Sequence, residues 1–332
     1  MMAKIGVVTI GRNEGDRLLR CLQSLIAQLP PDTPIVYVDS GSTDGSLNQA
    51  QALGVEAIAL DLSIPFTAAR SRNTGFFHLL AQYPDLAYVQ FIDGDCELIP
   101  GWIEGAIAHL EAHSEWAIVC GRRRERFPDA SPYNRLAEME WNTQVGEAEA
   151  CGGDSLARVV ALQAVNGFNP RLICGEEPEM CIRLRRAGWR IFRLDADMTL
   201  HDAAMLKLSQ FWRRSVRGGW AVAEGFARYG GPPEYYMQRQ HKSGWLWGAA
   251  VPLAMVSFAW PTQGLSFLLL LGYPYLIWRV YRYRIGGGDR PAHARLYAFY
   301  TVLSKIPQAI GQGQYWLTRW QGKTATLIEY KG

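Results

Sequence analysis

The first hundred residues alternate short apolar runs with segments of helical periodicity, and no other feature of the chain restricts its fold as much. Ile5-Gly6-Val7-Val8-Thr9-Ile10, Ile35-Val36-Tyr37-Val38, Val55 to Leu60 and Tyr88 to Ile92 are rich in residues that suit buried strands. After the first run, Leu18, Leu19, Leu22, Leu25 and Ile26 recur at helical spacing, and a further helix begins at Ala68. Strands alternating with helices imply an α/β fold with a parallel, doubly wound sheet.

In open sheets of this kind ligands bind beyond the carboxyl ends of the strands. The second run ends in Asp39-Ser40-Gly41-Ser42-Thr43-Asp44-Gly45, small and acidic residues that suit a ligand-cradling loop, with Thr43 or Asp44 placed to cap the next helix. The fourth run ends in Asp93-Gly94-Asp95. Gly94 removes the side chain between two carboxylates, so a metal ion and a phosphate can approach the backbone. Hard cations such as Mg²⁺ or Mn²⁺ take oxygen ligands, usually one or two carboxylates plus substrate phosphates. By itself an Asp-x-Asp reads as a strand-end turn ahead of a metal site. Pro100 is expected to open the helix that follows. The chain has no GxGxxG after its first strand and no GxxxxGK, which disfavours dinucleotide and P-loop chemistry.

Four segments in order, GVVTIGRNEGDRL, IVYVDSGSTDGS, ARSRNTGF and QFIDGDCELIPGW, resemble the N-terminal half of family 2 glycosyltransferases of the GT-A fold, of the bacterial surface or exopolysaccharide type. Cys151-Gly152-Gly153-Asp154 and Val165-Asn166-Gly167-Phe168-Asn169 resemble that family's acceptor-side segment, and Gly175-Glu176-Glu177-Pro178-Glu179 stands where it has a GED motif. The resemblance covers residues 4 to about 225 and implies an α/β fold with a doubly wound mixed sheet.

By that resemblance Thr9 and Asp39 hold the nucleotide's base and ribose, with Arg12 and Glu14 on the same rim. Arg72, or Arg70 beside it, would meet the diphosphate, for which guanidinium donors are suited. Asp93 and Asp95 with Gly94 between them would carry a Mn²⁺ or Mg²⁺ ion on the diphosphate. His201 is either a further metal or phosphate ligand or a structural histidine. The catalytic base of an inverting transfer maps to Glu177, with Glu176 and Glu179 as alternatives, because a carboxylate must take the acceptor proton. A charged first turn of a helix would also explain those acids. Arg122-Arg123-Arg124-Glu125-Arg126 reads as a solvated edge ahead of an anion site for the acceptor. The QxxRW motif of processive members is absent around Phe211 to Trp220.

A net charge of +3 on 332 residues gives no ground for nucleic-acid binding. The six cysteines are scattered without a CxxC pair, which reads as reduced thiols in a cytosolic compartment, and no secretory signal is expected before the first strand. From Trp245 to Trp278 there is no charged residue and no histidine, and Pro261-Thr262-Gln263-Gly264 divides the run into two arms. Each arm is shorter than the ~20 residues of a spanning helix. Arg239 and Lys242 precede the run and Arg279, Arg282, Arg284 and Arg290 follow it, so both ends are expected on the cytoplasmic side, with tryptophans and tyrosines at the interface. A hairpin dipping into one leaflet fits this pattern, and two short spans or a buried soluble hairpin are the alternatives. Residues 296 to 320 suit a further amphipathic element on the bilayer.

The expected organisation is a catalytic domain over 1–230, a linker over 231–244 and a helical membrane-associated region over 245–332. The expected activity is metal-dependent transfer from a UDP- or GDP-type sugar to a lipid-linked or glycan acceptor, in polysaccharide synthesis at the cytoplasmic face of the plasma membrane. A polyprenyl-phosphate sugar synthase, a nucleotidyltransferase and a non-catalytic glycan-binding relative are the alternatives.

Overall fold

The computed structural model describes residues 4–323 together with 326, 328 and 329, so part of the expected 245–332 region lies outside the described residues. The chain divides into two compact units, one formed by Met1–Phe127 with Glu140–Ala203, the other by Pro128–Met139 with Ala204–Gly332.

The first unit contains β1 (Ile5–Gly11), α1 (Asp16–Gln28), β2 (Ile35–Asp39), α2 (Ser46–Ala52), β3 (Glu56–Ala59), α3 (Ala68–Gln82) and β4 (Tyr88–Asp93). It continues through β5 (Cys96–Leu98), α4 (Trp102–Ala112), β6 (Trp116–Glu125), the end of α5 (Pro132–Trp141), β7 (Gly146–Glu147), β8 (Ser155–Arg158), α6 (Val159–Ala164), α7 (Glu176–Arg186) and β9 (Arg190–His201). The sheet runs β3-β2-β1-β4-β8-β6-β9-β5, with β7 pairing β9. Its first four strands are parallel, β8 is antiparallel to both β4 and β6, and the sheet is therefore mixed. Strand order reverses between β1 and β4, the place where an open α/β sheet leaves a crevice at its carboxyl edge. Val7, Val8, Phe91 and Ile92 are buried in this half of the sheet, and α1 covers it with Leu18, Leu22 and Leu25. Ile26 lies outside that buried stripe.

One element departs from the expected pattern. Pro100 does not open the helix after β4; the chain first forms β5, and α4 starts at Trp102 behind Gly101, whose φ is +82°. β5 exists because Cys96, Glu97 and Leu98 pair with His201, Leu200 and Thr199, a partner about a hundred residues away that no local pattern reveals.

The second unit is helical: α8 (Leu208–Tyr229), α9 (Gln238–Trp245), α10 (Val251–Ser257), α11 (Gly272–Gly286), α12 (Pro291–Leu303) and α13 (Lys305–Trp320). Residues 204–230, expected with the catalytic domain, fall in this unit, and residues 238–244 of the expected linker are helical. α8 and α13 pack almost backbone to backbone: a Cβ at Gly311 would lie 1.9 Å from the Val216 carbonyl oxygen, and one at Gly219 would lie 2.1 Å from that of Gln308. Only glycine permits that approach.

The uncharged run forms a hairpin. α9 passes through a wide turn (Leu246–Ala250) into α10, residues 258–264 reverse the chain, and a tight turn (Leu265–Leu271) leads into α11. The reversal contains Pro261 to Gly264, as the sequence implies. Ser266 Oγ donates to the Met255 carbonyl (2.8 Å) and Tyr273 OH to that of Trp247 (2.7 Å), which staples the arms together. Leu253, Val256, Leu265, Leu268 and Leu271 face outward, and Trp260 at the tip is 92% exposed. Among the described residues no helix is long and apolar enough to cross a membrane.

Candidate functional site

At the carboxyl ends of β1 and β2 the residues expected at the nucleotide separate into different settings. Thr9 is fully buried inside β1, two residues before the strand ends. Asp39 closes β2 and accepts from the Gly41 and Ser42 amides (3.0 and 2.8 Å), Tyr37 OH (2.8 Å) and Ser42 Oγ. Its carboxylate thereby orders the following loop, as aspartates do in turns. The Arg12 guanidinium lies 4.6 Å over the Phe66 ring, and Glu14 pairs with Arg17 (2.9 Å). Asp44 accepts from the Ser46 amide (3.0 Å) at the start of α2.

The structure also separates the two arginines of α3. Arg70 donates to the carbonyls of Ile64 (2.7 Å), Pro65 (2.9 Å) and Asp61 (2.9 Å) and so fastens the loop before the helix. Arg72 is buried at the crevice and reaches three acids: Glu176 (2.7 Å), Glu177 (3.1 Å) and Asp93 (2.8 Å). Such a forked cation is suited to oxyanions in a fixed array.

Asp93 holds a second arginine, Arg123, from the run expected on a solvated edge. Arg123 Nη2 donates to Asp93 Oδ2 (3.0 Å), and Arg123 also pairs with Asp154 (2.6 Å). Burial works to raise the Asp93 carboxyl, but Arg72 and Arg123 together hold it below its ordinary value. Asp154 is fully buried and further accepts from the Asp93 amide (2.9 Å) and Thr199 Oγ1 (2.7 Å). A Cβ at Gly153 would lie 2.8 Å from Asp93 Oδ2 and 3.0 Å from Arg72 Nη2, so the backbone here must stay bare. Asp154→Asn removes one partner of a buried ion pair, and is expected to lower unfolding stability by about 3–5 kcal/mol. Urea denaturation of the two proteins measures this, and an unchanged midpoint would show that the network does not support the fold.

Asp95 faces a different partner. Its Oδ2 lies 3.2 Å from His201 Nε2, and both side chains are buried. His201 Nδ1 lies 3.0 Å from Glu125 Oε2, and the Trp141 ring stands nearly perpendicular to the imidazole at 4.4 Å. Burial disfavours the charged imidazole, yet Asp95 and Glu125 outweigh it and raise the His201 pKa. Asp95, Cys96 and His201 each place a donor atom within 4.8 Å of the others. Carboxylate oxygen and imidazole nitrogen suit Mn²⁺, and a buried carboxylate–imidazole pair of this kind fits a divalent cation.

The acids of α7 divide as well. Glu179 is clamped by Arg183 through contacts of 2.8–3.1 Å. Glu176 is buried against Arg72. Glu177 is pushed up to about 7, by burial first and Glu176 next, with Arg72 pulling the other way. A carboxylate poised there can exchange a proton near neutrality.

Arg123, Glu125, Trp141 and Asp154 were not singled out as site residues from the sequence. For Arg123 and Glu125 the signal is the strand period. After three irregularities in the β6–β9 register, Arg123 pairs beside Thr199 and Glu125 beside His201, on the inward face. Arg122 and Arg124 alternate to the other face, where they meet Asp195 and Asp197.

The fold and this cluster define a GT-A-type α/β domain, with acids and arginines gathered at the switch point of the sheet. Residues 6–156, a little under half of the chain, match Glycosyl transferase family 2. The chain is 26% identical over 165 residues to the pre-mycofactocin glycosyltransferase of two Mycobacterium tuberculosis strains, which covers 46% of this chain. It spans about a third (34%) of those relatives' length. The mannosyltransferase PcManGT from Pyrobaculum calidifontis, solved in complex with GDP-Man and Mn²⁺, superposes with a TM-score of 0.62 at 17% identity, over 96% of this chain and 88% of its own. That likeness extends the shared fold into the helical unit.

Proposed function

We propose that the protein transfers a sugar, with inversion, from a nucleotide diphosphate donor to an acceptor hydroxyl, assisted by a divalent cation. The observation that carries this reading is the convergence of Glu177, Arg72 and the Asp95–His201 pair in one buried cluster at the sheet's carboxyl edge. Glu177 takes the acceptor proton as the hydroxyl oxygen attacks the anomeric carbon. The bond to the donor's diphosphate breaks on the opposite face, and its electron pair leaves with the nucleotide. Arg72 holds the departing phosphate oxygens, and Asp93 with Arg123 keeps that guanidinium in place. Asp95 and His201 would hold the cation, whose chemistry is to neutralise charge on the leaving diphosphate. Asp39 and Arg12 border the nucleoside end. The GDP-Man and Mn²⁺ of the Pyrobaculum neighbour support a nucleotide-sugar donor and a divalent metal.

The exposed hairpin supports an acceptor presented at a membrane, a lipid-linked glycan at the cytoplasmic face of the plasma membrane in polysaccharide assembly. The same surface would serve a polyprenyl phosphate acceptor. Calorimetric titration of UDP- and GDP-sugars with and without Mn²⁺ tests the donor site. Transfer onto lipid extracts, with NMR of the product anomer, tests the rest. No metal-stimulated binding of any nucleotide sugar, or a retained anomer, would overturn the reading, and a product lacking a glycan would favour the polyprenyl phosphate acceptor.

A further inference from the structure

We infer that Glu125 is the positioning residue of the cation site: its carboxylate fixes the His201 imidazole so that Nε2 faces Asp95. This rests on the proposed metal role of Asp95 and His201. Glu125 ends β6 opposite His201 at the end of β9, so the two side chains are register neighbours. Its side chain is fully buried, and a buried carboxylate persists only where it is paired and hydrogen-bonded. The partners present are directional. Glu125 Oε2 lies 3.0 Å from His201 Nδ1, and both carboxylate oxygens accept from the Ala203 amide at 3.3 Å. Oε1 also accepts from the Phe127 amide (3.4 Å). Backbone donors on both sides thus hold the carboxylate, and the carboxylate holds the ring.

That arrangement selects a tautomer. With the proton on Nδ1 donated to Glu125, Nε2 is the nitrogen that faces Asp95 Oδ2, 3.2 Å away, and so the one left to ligate a cation beside that carboxylate. A histidine that ligates through one nitrogen usually donates its other N–H to a carboxylate, and losing that partner typically costs 10- to 100-fold in metal affinity. Trp141 packs nearly perpendicular to the ring at 4.4 Å, which leaves little room for the imidazole to turn over. The Glu125 side chain is fully buried against His201, so its effect runs through the imidazole.

The test titrates Mn²⁺ into the full chain, followed by electron paramagnetic resonance, alone and with GDP or UDP. Wild type, Asp95→Asn, Glu125→Gln and Glu125→Asp are compared. Glu125→Gln is expected to bind Mn²⁺ about 10- to 100-fold more weakly. Glu125→Asp, which restores a carboxylate, is expected to recover part of the loss. Nitrogen-15 shifts of the His201 ring with diamagnetic Mg²⁺ bound give a readout that general loosening would not move: the Nδ1–H form should dominate in wild type and lose that dominance in Glu125→Gln. Unchanged Mn²⁺ affinity and an unchanged tautomer in Glu125→Gln would overturn the inference. A wild type that takes up no Mn²⁺ in any of these conditions, or an Asp95→Asn that binds it equally well, would instead overturn the metal site itself.

Discussion

Glu177→Gln is expected to lower transfer by a factor on the order of 10² to 10⁴ while leaving donor affinity near that of the wild type, since an amide cannot accept the acceptor proton. Three acids share the start of α7, and their settings decide among them. Glu179 is held by Arg183, and Glu176 is buried on Arg72 with little freedom to accept. Glu177 meets the same arginine at 3.1 Å but keeps more of its side chain open. Burial and Glu176 push its carboxyl up to about 7, against the pull of Arg72. The sign follows directly. A base must be unprotonated, so the wild-type rate should fall as pH drops through about 7, approaching tenfold per pH unit below it. In Glu177→Gln the residual rate should lose that limb. Initial rates with a fixed donor from pH 5 to 9 measure both effects. Full turnover in Glu177→Gln beside an inactive Glu176→Gln would move the base by one residue.

The strands and helices up to β4 were legible because each rests on a local pattern: apolar runs for β1, β2 and β4, and three- and four-residue spacing for α1. Asp93, Asp95, Arg72 and Glu177 were legible because they lie at strand ends or helix starts in recognisable motifs. Arg123, Glu125 and Asp154 were not. A run of five charged residues looks like a solvent-facing edge, and only the register of β6 against β9 turns Arg123 and Glu125 inward. Asp154 gains its meaning from the Asp93 amide, Arg123 and Thr199, which are distant in sequence. The end of β1 differs for the same kind of reason: the apolar run stops at Ile10, but pairing of Gly11 with Asp39 carries the strand one residue further.

Leu253→Asp combined with Leu268→Asp is expected to abolish binding to lipid vesicles without unfolding the protein. Both leucines lie on the outer surface of the hairpin and are largely exposed, at 66% and 61%, so in water the substitutions disturb little packing. In a bilayer the balance reverses. An aspartate costs about 2.5–3.5 kcal/mol at the centre of a membrane helix and less toward the interface. Each 1.4 kcal/mol is tenfold in partition, so even half the central cost at both sites lowers binding about 100-fold. The proposed one-leaflet attachment rests on the form of the hairpin. Its arms are stapled by Ser266 and Tyr273, its tip presents Trp260, and Arg279 and Arg282 lie over the rings of Tyr275 and Trp278 at 6.0 and 5.7 Å. Those cations add about 1 kcal/mol each at an anionic surface, so neutral vesicles should bind more weakly. Flotation with anionic and neutral vesicles, together with impermeant labelling of Gly287→Cys in intact cells, reads out both the attachment and its side. Wild type that stays in solution, a double variant that still floats, or labelling of Gly287→Cys from outside would each defeat the one-leaflet hairpin. A wild-type dimer that the two aspartates split, with no flotation of either form, would assign the apolar surface to a second copy of the chain instead.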